Sequence, residues 1–370
     1  MRSEIPRHKT GLLLINLGTP ASPRPADVRP YLREFLMDPR VVDIPGWKRW
    51  LIVHLFILPF RPRKSGEAYA QIWTEQGSPL LVHSRELAKK VQARLGSRVH
   101  VDLAMRYGNP SIADALEHFR RSGIQRVVVL PLYPQYSSAT TGSTVEKVFE
   151  EVARHWNTPY VQVVPPFYDH PAFLDAYAGA VRPVLQRVRP EKVFLSFHGL
   201  PERQVIKGDD SGAHCLKRTD CCASVDVVNR DCYRAQCFAT ARLLASRLGV
   251  SEEMSVVCFQ SRLGREPWIR PYTEERLAEE ARAGCKRAVI LSPAFVADCL
   301  ETLEELGIRG VGTWKENGGE TLALAPAPNS SDRWADAVVT IARDSTRWLD
   351  PAAGETGQDR IDERVTTADR

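Results

Sequence analysis

Three groups of residues in this chain have the types and spacing to do chemistry. They are a histidine closing an apolar run, two carboxylates three positions apart, and a crowd of cysteines. His198 lies in Glu191–Pro201, E-K-V-F-L-S-F-H-G-L-P. Val193, Phe194, Leu195 and Phe197 read there as a short buried strand, and Gly199 and Pro201 break it at once. An imidazole at the end of a parallel strand stands on the edge where open α/β sheets bind ligands. A lone histidine in that position is more often a hydrogen-bonded structural residue, so the remaining residues must decide.

The carboxylates are Asp298 and Glu301, in Pro293–Leu306, P-A-F-V-A-D-C-L-E-T-L-E-E-L. A helix from about Ala297 would turn Leu300, Leu303 and Leu306 inward and present Asp298 and Glu301 on one side near its start. The ordinary reading is an acidic first turn favoured by the helix dipole. The functional one brings Glu301 across a cleft from His198. A neutral imidazole with a carboxylate suits a borderline divalent ion such as Fe²⁺ held transiently, because few ligands leave coordination positions open. The same pair can act as base and proton relay.

No cysteine occurs before Cys215, and Cys215, Cys221, Cys222, Cys232 and Cys237 crowd into Cys215–Cys237. Disulfides usually staple a whole fold; this crowding, with no secretory pattern at the N-terminus, points to a reducing compartment and a metal or cluster site. Four thiolates suit a [2Fe–2S] cluster or a structural Zn²⁺, and the spacing excludes neither. Adjacent Cys221 and Cys222 do not both ligate easily, which favours Cys215, Cys232 and Cys237 plus one of the two. Cys258, Cys285 and Cys299 read as isolated strand or helix cysteines.

The elements that must position these groups alternate. Strands are expected at Lys9–Asn16, Val99–Met105, Gln125–Pro131 and Tyr160–Val164. Helices are expected at Tyr31–Met37, Ser84–Leu95, Ser111–Arg121, Val145–His155, Phe173–Val188, Ala235–Leu248 and Asp332–Trp348. This order means parallel sheets in α/β layers. The second half also repeats the first: Leu12–Pro20 matches Val193–Pro201, Arg106–Pro110 matches Arg262–Pro267 with one insertion, and Gly123–Pro131 matches Gly284–Ser292. Three matches in one order, each at a strand–loop junction, indicate an internal duplication. The fold class is therefore α/β, two Rossmann-like lobes with parallel sheets facing across a cleft. The N-terminal lobe takes residues 1–165 and the C-terminal lobe 166–325, followed by a helix within 326–350 and a disordered tail over 351–370. The copies differ where chemistry would sit: His198 falls opposite Leu17, Glu301 opposite Thr140 and Asp298 opposite Ser137.

The 370 residues, 43% hydrophobic and 26% charged, are ordinary for a soluble protein, and a net charge of +5 is too small to argue for nucleic acid. No window is long and apolar enough to span a bilayer. Gly46–Pro62 (G-W-K-R-W-L-I-V-H-L-F-I-L-P-F-R-P) is the most apolar segment, readable as a core helix or as an exposed lip touching membrane or a greasy ligand.

Taken together, L-I-N-L-G-T-P, L-P-L-Y-P-Q-Y-S (130–137), S-F-H-G-L-P (196–201), F-Q-S-R-L-G-R-E-P-W (259–268) and F-V-A-D-C-L-E-T-L-E-E (295–305) resemble the ferrochelatases. These enzymes insert Fe²⁺ into protoporphyrin IX to give protohaem, the last step of haem synthesis. The resemblance covers about Gly11 to Trp348 and implies two Rossmann-like lobes around a porphyrin cleft. It also implies His198 and Glu301 as the catalytic, metal-binding pair, with Asp298 in an acidic path beside them. Trp268, Tyr107 and Arg106 would line the porphyrin site, and Arg61, Tyr69 and Ser78 would stand near the ligand's carboxylates. Gly46–Pro62 takes the place of the family's hydrophobic lip, which favours the exposed reading. Cys299 stands where some members have a second histidine. Leu17 replaces a tyrosine of the coproporphyrin-using branch, so protoporphyrin IX is the expected substrate. Some bacterial members carry an internal cysteine set with a [2Fe–2S] cluster, which tips the cofactor from Zn²⁺ to the cluster. The expected protein is cytoplasmic, able to sit peripherally on the inner face of the cell membrane, and a monomer or a homodimer.

Overall fold

A computed structural model describes residues 9–262, 264 and 266–349; the expected tail lies outside them. Two four-stranded parallel sheets carry the fold. The first has β1 (Lys9–Gly18), β2 (Val99–Tyr107), β3 (Ile124–Pro131) and β4 (Tyr160–Val163) in the order β2-β1-β3-β4. The second has β5 (Lys192–His198), β6 (Ser255–Gln260), β7 (Arg287–Leu291) and β8 (Thr321–Leu324) in the order β6-β5-β7-β8. The identical orders express the duplication, and they make the His198 strand an inner strand of its sheet.

Strand alternation divides the apolar residues between two faces. Leu12 and Leu14 pack inward with Val193 and Leu195 in one core that both lobes share. Leu13 and Ile15 close a separate cluster with Phe119, and Phe194 closes one with Trp314. The helix Asp332–Ser345 follows the second lobe yet returns to the first, where Asp332 and Asp336 pair with Arg94. Gly18 and its counterpart Gly199 are where each inner strand crowds its neighbour. A Cβ on Gly18, at φ +118°, would lie 1.9 Å from the Tyr107 carbonyl oxygen, and one on Gly199 2.9 Å from that of Gln260.

Two expectations change. The first helix begins at Pro25, ahead of Tyr31, with Pro30 inside it. Proline is at home in a first helical turn, and Pro30 forfeits only one backbone bond. The second duplication match also shifts register. Asn16 pairs with Met105 and Phe197 with Phe259, which makes Gln260 the counterpart of Arg106. Met105 N–H donates to the Pro110 carbonyl at 2.7 Å and Phe259 N–H to that of Pro271 at 2.8 Å. Pro271, not Pro267, is therefore the counterpart of Pro110, and the second lobe has the longer loop between.

Candidate active site

β5 delivers His198 to the cleft edge, half-buried between the rings of Trp268 and Phe295, with centroids 6.3 and 6.4 Å away. Its Nδ1 lies 2.6 Å from the Gly199 carbonyl oxygen. A carbonyl only accepts, so Nδ1 carries the proton and Nε2 of the neutral ring presents a lone pair. This is the arrangement of an imidazole held ready for a metal ion or a proton. Tyr233 Oη donates to the His198 carbonyl at 2.8 Å, which ties the strand end to the helix Tyr233–Leu248.

The acidic segment is wound differently from the expectation. The chain is still irregular at Asp298, and a π-helical stretch runs from Glu301 to Gly310. Asp298 does not share a face with Glu301. Its carboxylate accepts from Thr302 Oγ1 at 3.0 Å, Asn329 Nδ2 at 2.7 Å and the Ala327 N–H at 3.3 Å, which secures the 327–329 loop. Leu306 is buried as expected, while Leu300 and Leu303 pack half-buried against Val28, Tyr69 and Ile72 of the first lobe.

Glu301 takes the inward place, and Glu305 follows it one turn on. Ser261 N–H donates to Glu305 Oε1 at 2.8 Å and the Ser261 hydroxyl donates to Oε2. Burial pushes the Glu305 carboxyl above its ordinary range, against the pull of Ser261 and of Arg309, and Glu301 adds to the rise. Glu301 in turn faces the phenols of Tyr31 and Tyr69; burial and this carboxylate hold both tyrosines protonated. Tyr31 and Glu305 escaped the sequence reading. Each lies inside a segment already singled out, but only the folded chain turns it toward the site.

The other expected contacts are distributed unevenly. Tyr69 and Ser78 are buried and Arg61 is exposed at the start of the helix Arg61–Ile72. Trp268 flanks His198. Arg106 and Tyr107 are turned into an internal cluster: Arg106 Nη2 and Tyr107 Oη donate to Asp38 at 2.6 and 2.8 Å, and Ser143 Oγ at 2.5 Å. Burial pushes Asp38 up, but these donors outweigh it and keep the carboxyl below its ordinary value. Arg106 and Tyr107 therefore tie β2 to Asp38 and Ser143, with Tyr107 fully enclosed.

Cys215, Cys221, Cys222, Cys232 and Cys237 are all buried, and Cys221 and Cys222 sulfurs lie 3.7 Å apart. Arg234 Nη1 donates to Cys222 Sγ at 3.1 Å. Asp209 organises the loop by accepting from the N–H groups of His214 and Cys215. The neighbouring Cys232 and burial raise the Cys222 thiol, and burial raises Cys215 and Cys237. Among the described residues, no three His, Cys, Asp or Glu side chains stand in metal-ligating geometry.

Residues 9–346 match the family model described as Ferrochelatase. The chain belongs to the ferrochelatase family. It is a metal chelatase that inserts ferrous iron into a porphyrin for haem synthesis. It is 44% identical to the ferrochelatase of Coxiella burnetii (strain Dugway 5J108-111) over 338 residues, covering 91% of this chain and 94% of that one. It is 48% identical to the ferrochelatase of Ectopseudomonas mendocina (strain ymp) over 331 residues, covering 89% and 96%. The ferrochelatase chain also shares its fold with SirB from Bacillus subtilis, solved with Fe³⁺. The TM-score is 0.53 at 13% identity, covering 94% of this chain and 98% of that one. The two parallel sheets read from the sequence are thus the chelatase architecture.

Proposed function

We propose that this ferrochelatase acts on protoporphyrin IX through His198, Glu301 and Glu305. The observation that carries the reading is the setting of His198: the Gly199 carbonyl engages Nδ1, which leaves Nε2 as the ring's acceptor, and Glu301 and Glu305 stand half-buried nearby. Fe²⁺, a substrate, meets Nε2 of His198 and the Glu301 carboxylate. Two donors hold it loosely enough to leave. As iron passes to the pyrrole nitrogens, two N–H protons must go elsewhere. One takes the Nε2 lone pair that iron has vacated, and the other goes to Glu305, whose raised pKa makes it a willing acceptor. The site thus exchanges one 2+ ion for two protons with no change of net charge and no redox step. Trp268 and Phe295 offer apolar walls that favour a bent macrocycle, exposing its lone pairs to iron.

Four of the five loop thiols would hold a [2Fe–2S] cluster. Their clustering, their soft donor chemistry and the adjacent Arg234 fit an anionic thiolate centre. Bound there, the group would couple redox state or loop order to β5 through Tyr233. The lip supports peripheral membrane contact: Trp47, Phe56 and Phe60 are 65%, 69% and 74% exposed, beside Lys48 and Arg63. No helix among the described residues is long and apolar enough to cross a membrane.

The test is anaerobic Fe²⁺ insertion into protoporphyrin IX. His198→Ala should cut the rate by about 10²–10⁴-fold while porphyrin binding survives. A variant with parental turnover would remove His198 from the mechanism.

A further inference from the structure

Arg203 stands on the helix Glu202–Lys207, directly after His198-Gly199-Leu200-Pro201. Its guanidinium donates to the Asp43 carboxylate, to the Asp43 carbonyl oxygen at 3.1 Å, and through Nε to Glu266 at 2.6 Å. Lys207 Nζ lies 3.5 Å from Asp43, and Gln204 Nε2 donates to the Val41 carbonyl at 3.3 Å. Asp43 belongs to the other lobe, in the turn leading into the lip. Arg49 of the lip grips that same turn by donating to the carbonyls of Val42 and Ile44, each at 3.1 Å. Glu266 lies two residues before Trp268 on the long loop peculiar to the second lobe. One guanidinium therefore joins the lip, the exit of the His198 strand and the loop carrying Trp268.

Two of these parts adjoin His198: Trp268 packs beside its ring, and the helix Glu202–Lys207 follows its strand. Trp268 and Tyr69 are only 9% and 6% exposed, so a flat macrocycle gains their faces only when lip and loop draw apart. The polar contacts that must break are those of Arg203, with the Lys207–Asp43 pair and the Gln204–Val41 bond beside it. The Arg203 side chain is 41% exposed, that of Glu266 39% and that of Asp43 12%, so the Glu266 pair is weak and salt-screened and the Asp43 pair less so. Contacts of that strength suit a closure that opens in every catalytic cycle. We infer that Arg203 is a positioning residue, an interlobe latch that closes the lip over the bound macrocycle and slows its release. The inference rests on the porphyrin reading above.

The full chain is loaded with protoporphyrin IX, and release into excess albumin is followed by stopped-flow fluorescence. Arg203→Ala should release porphyrin about fivefold faster at low salt. Parental release should quicken between about 0.05 and 0.5 M salt, and the variant's should quicken less, Lys207 alone then facing Asp43. Arg203→Lys should recover part of the slow release. Asp43→Asn, which touches only the first-lobe side, should reproduce the alanine variant. Parental rates and salt dependence in both Arg203→Ala and Asp43→Asn would overturn the latch alone, provided the parent binds and metallates porphyrin. A parent that takes up no porphyrin would overturn the substrate reading and the latch with it.

Discussion

The side-chain amide of Gln260 donates to the backbone carbonyl of Glu301 at 2.9 Å, while its oxygen accepts from Ser196 Oγ at 2.6 Å. Gln260 also pairs in register with His198. The acidic π-helical turn is thereby held to the same strand edge that carries the imidazole, and Ser261 adds the grip on Glu305. Wide helical turns of this kind recur at functional sites, where they need such external support.

Replacing Gln260 with Leu should expose how much the site depends on that link. Gln260 is buried, so the change takes the amide donor from the Glu301 carbonyl and leaves the Ser196 hydroxyl with Thr273 alone, at a cost of about 1–3 kcal/mol. Denaturant unfolding should report the loss and initial rates a parallel fall in insertion. Unaltered values for both would mean that the turn stands unaided.

Glu305→Gln should change the pH dependence of stability in a defined direction. Burial raises the Glu305 carboxyl above its ordinary 4.5 in the folded chain, so folding favours its protonated form. That contribution is complete below the unfolded value and fades as pH rises through the folded one. Compared at about pH 4 and about pH 8, the parent should therefore be the less stable of the two, relative to Glu305→Gln, at the higher pH. The parent's insertion rate should climb over the same limb, and the variant's should not. Parallel unfolding midpoints at both pH values would count against a raised Glu305.

The cysteine loop makes a spectroscopic prediction. Protein purified without oxygen should be coloured, with the visible absorption of a [2Fe–2S] centre, and Cys232→Ser should lose it. Metal-held loops also lose stability when the metal is stripped, so chelation should lower the unfolding temperature. A colourless protein with stoichiometric zinc would transfer the same thiols to Zn²⁺.

The lip can be tested on vesicles containing anionic lipid. Phe56→Asp with Phe60→Asp removes apolar area and adds repulsion, so co-sedimentation should fall about tenfold or more. The unfolding temperature should hardly move, because both side chains already face solvent. Equal sedimentation of parent and variant would assign the lip to substrate handling alone.

Much of this was legible in the chain. Alternating apolar strands and their repeated junctions determined two like sheets, and the glycine and proline after His198 placed an imidazole at a strand end. Strand periodicity and turn breakers are local, and local patterns survive in the sequence. The lip was ambiguous for the opposite reason. Its composition suits a core as well as a surface, and only packing decided that Trp47, Phe56 and Phe60 stay outside.

Tertiary structure alone decided the partners. The acidic segment reads as an α-helix beginning near Ala297, but π winding from Glu301 changes which side chains share a face. Asp298 therefore goes to Asn329, and Glu305 stands by His198. Tyr31 meets Glu301, Arg106 turns to Asp38, and Arg203 reaches Asp43 because residues far apart in the chain converge where the two lobes face each other. A residue's type and spacing set what chemistry it can do; which group it meets follows from long-range packing, which no local pattern encodes.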